Sequence, residues 1–394
     1  MTAAWVTFVG IGEDGLAGLP AVARTALDAA QVVFGGPRHL ALAGVAGARG
    51  RTWPVPFDIA PVLACRGQAV VVLASGDPFW HGAGSSVAAH LGRGEWISHP
   101  APSTFQHMAN RLGWRLEEAV CLGLHAAPFA RLLPHLHPGA RLLCTLRDGA
   151  AAGDVAAWLA AQRFGASTLT VMEHLGGPAE RLRETKAAPF TLDGIGAPVA
   201  MAIMPDGAPG LPRSAGLPEV AFAHDGQITK SPVRALTLAA LAPRPGQHLW
   251  DLGAGSGSVS VEYCLAGGRA TAVEARGDRA ANIRANAETF GLTHRLAVIE
   301  GRAPEAVSGL ATPDAVFIGG GCDAALIAAV WDALPPSARL VVNGVTLETE
   351  ALLATAHAEK GGILWRFEIA SAGPLGRSRG WQPARPVVQW SVTR

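Results

Sequence analysis

The chain is expected to fold as an α/β protein of two unlike modules, and three observations carry that expectation. A short apolar run, Leu249-Trp250-Asp251-Leu252, leads into Gly253, Gly255 and Gly257, and a second run ends in Glu274 about twenty residues on. This reads as a strand turning tightly into a helix, followed by a strand that delivers a carboxylate. Apolar runs of strand length alternate with helical stretches along most of the sequence. Pro205, Pro209, Pro212 and Pro218 fall close to Gly207, Gly210 and Gly216, a density that cannot build a packed element and so marks a linker. The expected division is 1–205 with lobes of about 1–113 and 114–205, a linker over 206–219, and a second module over 220–394.

Composition narrows the class. A chain of 394 residues is long for one core, and 49% hydrophobic with 16% charged residues is a globular balance. No apolar run reaches the roughly 18 residues of a membrane helix, and the N-terminus lacks the basic start and long apolar stretch of a signal peptide. A cytoplasmic enzyme with no membrane partner is expected. The five cysteines are scattered with no Cys-x-x-Cys, and the histidines show no His-Glu-x-x-His, so neither disulfides nor a metal is expected. A net charge of +1 gives no support to a nucleic-acid partner. Only Lys186, Lys230 and Lys360 are lysines, so nearly all the positive charge is arginine, which grips carboxylates through a planar fork.

Taken in order, Ala4 to Gly10 reads as a strand entering the loop Gly10-Ile11-Gly12-Glu13-Asp14-Gly15, and Pro20 to Ala30 as a helix. No acid closes a clean second strand, because Gln31 to Phe34 runs into Gly35-Gly36-Pro37-Arg38. Ala69 to Ala74 is the next strand and delivers Ser75-Gly76-Asp77-Pro78. The Val-Gly-Ile-Gly loop, this turn, and Pro102-Ser103-Thr104-Phe105 before a helix together resemble the tetrapyrrole methylase family. The resemblance implies two α/β lobes with S-adenosylmethionine (SAM) in the cleft between them, and Ser75, Gly76, Asp77, Ser103 and Thr104 as its contacts. Read alone, Asp77 is an ordinary turn residue before proline. Strands are expected at Arg141–Leu146, Ser167–Met172 and Val199–Ile203, with a helix over Val155–Gln162.

In the second module Ser231 is the expected N-cap and Pro232 the first helical residue of a helix reaching Leu241, with Thr229 and Lys230 ahead of it as a lid over the glycine turn. A helix over Asp278–Phe290 and strands at Ala297–Glu300, Asp314–Ile318, Leu340–Asn343, Ile363–Ile369 and Pro386–Ser391 follow. No Gly-Lys-Ser or Gly-Lys-Thr is present, which argues against a P-loop. Gly-x-Gly-x-Gly preceded by Asp251 resembles the first motif of SAM methyltransferases, whose fold is a seven-stranded Rossmann-like sheet. That resemblance implies SAM contacts at Thr229, Asp251, Gly253, Ala254, Gly255, Ser256, Gly257, Glu274, Arg302 and Ala303. The fourth strand ends in Gly319-Gly320-Gly321 where amino-group methylases carry Asn-Pro-Pro-Tyr, leaving room for something large and flat.

The module order, with Gln-Ile-Thr-Lys-x-x-Val-Arg from Gln227 and Gly-x-Ala-Pro-Glu from Gly301, resembles the fused precorrin methyltransferases of cobalamin biosynthesis. It implies two SAM molecules per chain, a small-molecule precorrin substrate, methylation of carbons 5 and 15, loss of the carbon 12 acetate carboxyl as carbon dioxide, and self-association. No catalytic dyad is evident. Lys230, Gly319 and Gly320 are positioning candidates, and Arg276, Arg302, Arg377, Arg379 and Arg385 are candidates for substrate carboxylates, of which Arg377 and Arg379 are carried forward. Two alternatives stay open: an RNA methyltransferase with an accessory N-terminal domain, and a nicotinamide-dependent oxidoreductase.

Overall fold

The computed structural model describes residues 4–394. The chain divides into two compact units, one reaching Phe129 and resuming over His135–Gly210, the other comprising Leu211–Arg394 with the short piece Ala130–Pro134. No helix among the described residues is long and apolar enough to cross a membrane.

The first unit holds two five-stranded sheets. Strands β1 (Val6–Ile11), β2 (Val32–Phe34), β3 (Gly50–Arg51), β4 (Val70–Ser75) and β5 (Trp96–His99) form the order β3-β2-β4-β1-β5, all parallel. Parallel strands covered on both faces read as unbroken apolar runs, and β4 is buried from Val70 to Ala74. The second sheet is mixed. It comprises β6 (Val120–Gly123), β7 (Leu142–Thr145), β8 (Thr168–Glu173), β9 (Arg181–Lys186) and β10 (Val199–Met204) in the order β6-β7-β10-β8-β9. Helices α1 (Ala21–Ala29), α2 (Pro37–Leu42), α3 (Ala60–Leu63), α4 (Gly84–Ala88), α5 (Thr104–Leu112) and α6 (Ala150–Ala161) complete the unit. In this second sheet two strands lie outside the apolar reading for a physical reason. β9 is a charged, largely exposed edge, and β6 is only half-buried, so neither shows a continuous apolar signal.

The second unit is a seven-stranded sheet covered on both faces. Its helices are α7 (Ser231–Leu241), α8 (Ser258–Leu265), α9 (Gly277–Thr289), α10 (Ala324–Ala333) and α11 (Leu347–Lys360). Strands β11 (His248–Leu252), β12 (Arg269–Glu274), β13 (Leu296–Glu300), β14 (Ala315–Ile318) and β15 (Arg339–Gly344) run parallel in the order β13-β12-β11-β14-β15. β16 (Ile363–Phe367) and β19 (Val387–Thr393) extend the sheet beyond β15, with β19 antiparallel to both neighbours. Alternation along β11 sends Leu249 into one core with Leu238, Val261 and Ile283, and Trp250 into the other with Ile327, Val330 and Leu353. Between β16 and β19, where the sequence pattern predicts no strand, stands a hairpin of β17 (Ala370–Leu375) and β18 (Ser378–Pro383).

Two details correct the sequence reading. Lys230, not Ser231, occupies the N-cap of α7, and the Ser231 amide is satisfied by the Glu219 carboxylate at 2.8 Å. The Pro/Gly stretch is also less free at its end than its composition suggests. Leu217 is buried, and the Gly216 and Leu217 amides donate to Glu262 at 2.7 and 2.9 Å. Glu262 is itself paired at 2.7 Å with the fully buried Arg234, so a buried ion pair provides the partners that proline and glycine lack.

Candidate active sites

In the second unit β11 and β12 run in register, Leu252 beside Val273, so the glycine turn and Glu274 reach the same edge of the sheet. The turn is pinned from β12. Gly253 and Ala254 donate to the Val273 carbonyl at 3.0 and 3.1 Å, and Gly255 donates to Glu274 Oε2 at 2.8 Å. Glu274 Oε1 accepts the Arg276 amide at 3.0 Å. A carboxylate offers about four acceptor positions, so Glu274 braces the turn and still has lone pairs for a diol.

The glycines serve different ends. At Gly253, φ is +69° and a Cβ would lie 2.6 Å from the Gly320 carbonyl oxygen, so only glycine lets the first and fourth strand ends meet. Around Gly255 the nearest outside atom to a Cβ is Gln227 O at 4.0 Å, and this open side is where a ligand can lie against the backbone. Beneath the turn Asp251 is 1% exposed; Oδ2 accepts the Ser260 hydroxyl at 2.6 Å while Oδ1 is buried without a partner. Burial pushes its carboxyl up to about 6, against the pull of the Ser260 hydrogen bond and with a smaller push from Glu274.

Other predicted contacts fall around this turn to different degrees. Gly301 donates to the Glu274 carbonyl at 2.9 Å, which sets exposed Arg302 and half-buried Ala303 beside it. Gly319 donates to the Leu252 carbonyl at 3.2 Å, and a Cβ on Gly320 would meet nothing within 4 Å. Thr229 is not the free lid expected: its carbonyl accepts from Arg234 Nη1, because the buried guanidinium needs acceptors on every side. Lys230 beside it is exposed. Ahead of both, Arg279 latches the approach through Asp225 at 2.8 Å and Gln227 at 3.0 Å. Arg276 is taken up by Asp278 at 2.6 Å. Arg377 and Arg379 stand on the β17–β18 hairpin, lining an open depression with Ala372, Gly373, Pro374 and Ser378; no glycine-turn residue lines it.

The first unit carries a cleft of about 670 Å³ lined from both of its sheets. Ser75, Gly76, Ser103 and Thr104 line it; Asp77 does not. Asp77 Oδ1 accepts the Phe79 amide at 2.8 Å, the local turn bond that competes for any aspartate before a proline. Gly76 has φ +59°, and a Cβ would lie 2.6 Å from Ser103 Cα. Ser103 caps α5, accepting from Gln106 at 3.2 Å and donating its own amide to the Gln106 side chain at 2.6 Å, so the helix presents its N-terminal turn to the cleft.

Further polar groups line this cleft, Glu13, Arg38 and His39 among them. Gly35-Gly36-Pro37 looked like an interruption, but Pro37 opens α2 as its first residue and so places Arg38 and His39 on the wall. Arg38 pairs with Glu13, and its Nη2 lies 2.7 Å from Ser75 Oγ. His39 Nε2 lies 2.8 Å from the same hydroxyl. Burial and then the Arg38 charge push the imidazole down to about 4, against the opposing charge of Glu13. Glu13 also meets His174 Nδ1 at 3.1 Å, tying the loop after β1 to the end of β8. A Pro at the first helical position was the signal that could have found this group.

Comparison with known proteins adds what geometry alone does not. Residues 6–190 match the family model of tetrapyrrole (corrin/porphyrin) methylases, and residues 220–394 match that of the precorrin methyltransferase domain. A precorrin-6Y C(5,15)-methyltransferase [decarboxylating] from Sinorhizobium is 47% identical over 99% of this chain and 96% of its own length. Its namesake from Mycobacterium tuberculosis is 39% identical over 99% of this chain and all of its own. A cobalt-precorrin-6B C(15)-methyltransferase (decarboxylating) from Salmonella typhimurium is 34% identical over 41% of this chain and 85% of itself.

Proposed function

Because the chain belongs to the precorrin-6Y C(5,15)-methyltransferase (decarboxylating) family, we propose that its two units are two separate methyl-transfer sites, each holding its own SAM. The protein is an enzyme of cobalamin biosynthesis that uses SAM to methylate a precorrin at carbons 5 and 15 and decarboxylates it. Neither an RNA methyltransferase nor a nicotinamide-dependent oxidoreductase is supported by its relatives. The observation that carries the two-site reading is that each unit has its own unlike seat: a glycine turn braced by Glu274, and a cleft between two sheets.

Carbon 15 and loss of the carbon 12 acetate carboxyl belong, in this proposal, to the C-terminal unit, and carbon 5 to the N-terminal one. In support, a relative named for the first pair of reactions is short enough to match only 41% of this chain, and the precorrin methyltransferase domain model falls on 220–394. SAM supplies a methyl group as a sulfonium, so the chain has to bind, orient and keep water out, which by proximity alone contributes several kcal/mol. Gly253, Ala254, Gly255, Ser256 and Gly257 carry the cofactor, Glu274 takes its ribose and Arg302 with Ala303 edges its base. Gly319 and Gly320 leave a flat surface for the macrocycle, and Lys230, Arg377 and Arg379 meet its carboxylates. In the other unit the seat is Ser75, Gly76, Ser103 and Thr104, with Asp77 shaping the turn.

Each unit, cut near 205 and 220, is proposed to fold alone, since each has its own core. Five unpaired cysteines favour a reducing cytoplasm, and exposed Trp365, Leu375 and Trp381 favour a homo-oligomer. Calorimetry of the intact chain should give two SAM per chain, and mass spectrometry two added methyls less one carbon dioxide. A single-site isotherm that Glu274→Ala abolishes would leave the N-terminal unit as a substrate-binding domain only.

A further inference from the structure

We propose that Ser75 and His39 are the proton exit of the N-terminal methyl transfer, a role that rests on assigning carbon 5 to that unit. The demand comes from charge balance. A meso carbon attacks the sulfonium methyl with a π pair; the C–CH₃ bond forms as the S–CH₃ bond breaks, sulfur keeps the pair, and the positive charge passes to the macrocycle. That charge is discharged in one of two ways. Either a carboxylate leaves as carbon dioxide and its C–C electrons flow into the cation, or a proton is lost. Coupled to decarboxylation, the carbon 15 event sheds no net proton, the proton that turns the exocyclic methylene into a methyl being matched by one lost from the macrocycle. With no carboxylate leaving, the carbon 5 event must shed a proton.

The two sites differ as this demands. None of the residues placed around the glycine turn is a histidine, and its two carboxylates are buried, Glu274 bracing two amides and Asp251 bonded to Ser260. In the N-terminal cleft the exposed Ser75 hydroxyl lies 2.8 Å from His39 Nε2 and 2.7 Å from Arg38 Nη2. Arg38 Nη2 is also 3.1 Å from His39 Nε2, and a guanidinium has only donors, so this ring nitrogen presents its lone pair. The Gly36 amide donates to Nδ1 at the longer distance of 3.4 Å, so the relay uses the tautomer that the nearer Arg38 donor favours over the one Gly36 favours. The low value of about 4 keeps the ring neutral at physiological pH and makes it a weak base, so it passes the proton on and does not hold it.

The relay is then complete in atoms. A macrocycle N–H, directly or through one water, gives its proton to Ser75 Oγ as the Ser75 proton moves to Nε2. The imidazolium passes it to solvent, with Glu13, held by Arg38 and His174, offsetting the transient charge. Ser75 is the residue in contact with substrate or water, and His39 acts through it.

The test is His39→Gln in the full-length enzyme with a precorrin-6 substrate and SAM. Carbon 5 methylation should fall roughly a hundredfold, the low end for a general base because the ring is a weak one. A product with one added methyl and one carbon dioxide lost should accumulate, SAM should still bind the N-terminal site within a few-fold, and added imidazole should restore carbon 5 methylation. A carbon 5 rate within threefold of wild type overturns the relay, as does loss of N-terminal SAM binding, which would make His39 structural. If carbon 15 methylation and decarboxylation disappear while carbon 5 methylation persists, the assignment of carbons to units has failed instead. Should His39→Gln not give a cooperative melt, Ser75→Ala serves in its place, and an unimpaired carbon 5 rate there rejects the proposal.

Discussion

The C-terminal seat and the N-terminal cleft hold polar groups in opposite ways. At the glycine turn the binding groups are backbone amides fixed by a neighbouring strand, and the carboxylate beneath them, Asp251, has one hydroxyl partner and a titration pushed up to about 6. In the N-terminal unit the groups are side chains fixed by other side chains. Glu173, equally buried there, would be raised by burial too, yet Arg181, the Gly196 amide and Arg183 together hold its carboxyl down at about 2. The same chemical group is thus driven in opposite directions by the number of donors the fold brings to it. A seat made of backbone suits a cofactor whose shape does not change, whereas a seat made of titratable side chains can also move protons.

The comparison breaks most sharply with a crossed pair of substitutions. Gly320→Leu places a side chain in space where a Cβ meets nothing within 4 Å, so the fold and SAM affinity should hold within a few-fold while C-terminal methyl transfer is abolished. Gly76→Ala puts a Cβ 2.6 Å from Ser103 Cα at φ +59° and should cost roughly 3 kcal/mol or more in the N-terminal unit, removing its SAM binding while the C-terminal isotherm survives. Product masses and titrations of both variants test this. Loss of both activities in either variant would mean that the seats are not independent.

A smaller effect sharpens the account of the backbone seat. Glu274→Ala removes both a ribose acceptor and the brace on Gly255, so C-terminal SAM affinity should fall about ten- to a hundredfold, by roughly 1.5 to 3 kcal/mol, with N-terminal affinity unchanged. An unchanged C-terminal affinity in calorimetry would remove Glu274 from the site.

The smallest expected effect is the opposite acid response of the two buried carboxylates. Asp251 has a folded pKa above its unfolded value, so its contribution to stability is full below about 4 and is lost as pH rises through about 6. Asp251→Asn should therefore gain on wild type between pH 5 and pH 8, by on the order of 2 kcal/mol. Glu173 has a folded pKa below its unfolded value, so its contribution is present above about 4.5 and is lost as pH falls toward 2. Glu173→Gln should accordingly be destabilised at pH 7, with the gap closing in acid. Thermal melts of each variant against wild type across pH check both signs, and two gaps that move in the same direction would reject the contrast.

What the sequence by itself determined was whatever is written locally. The α/β class, five successive parallel strands of the second unit, and the turn from Asp251 to Gly257 with Glu274 following are all short-range patterns of apolar runs, glycines and one spaced acid. Hydrogen bonding between neighbouring strands then joins them without further information, as the Val273 carbonyl and Glu274 carboxylate do for Gly253 and Gly255. Other features were decided only by tertiary structure. Arg38 and His39 mean nothing until α2 sets them against Ser75, thirty-seven positions away from Arg38. Asp77 needed its turn bond to Phe79 before its absence from the cleft wall could be seen, and Thr229 needed a buried Arg234. The physical reason is common to all three: a side chain's role depends on which donors and acceptors surround it, and sequence spacing reports those partners only when they lie a turn or a strand away.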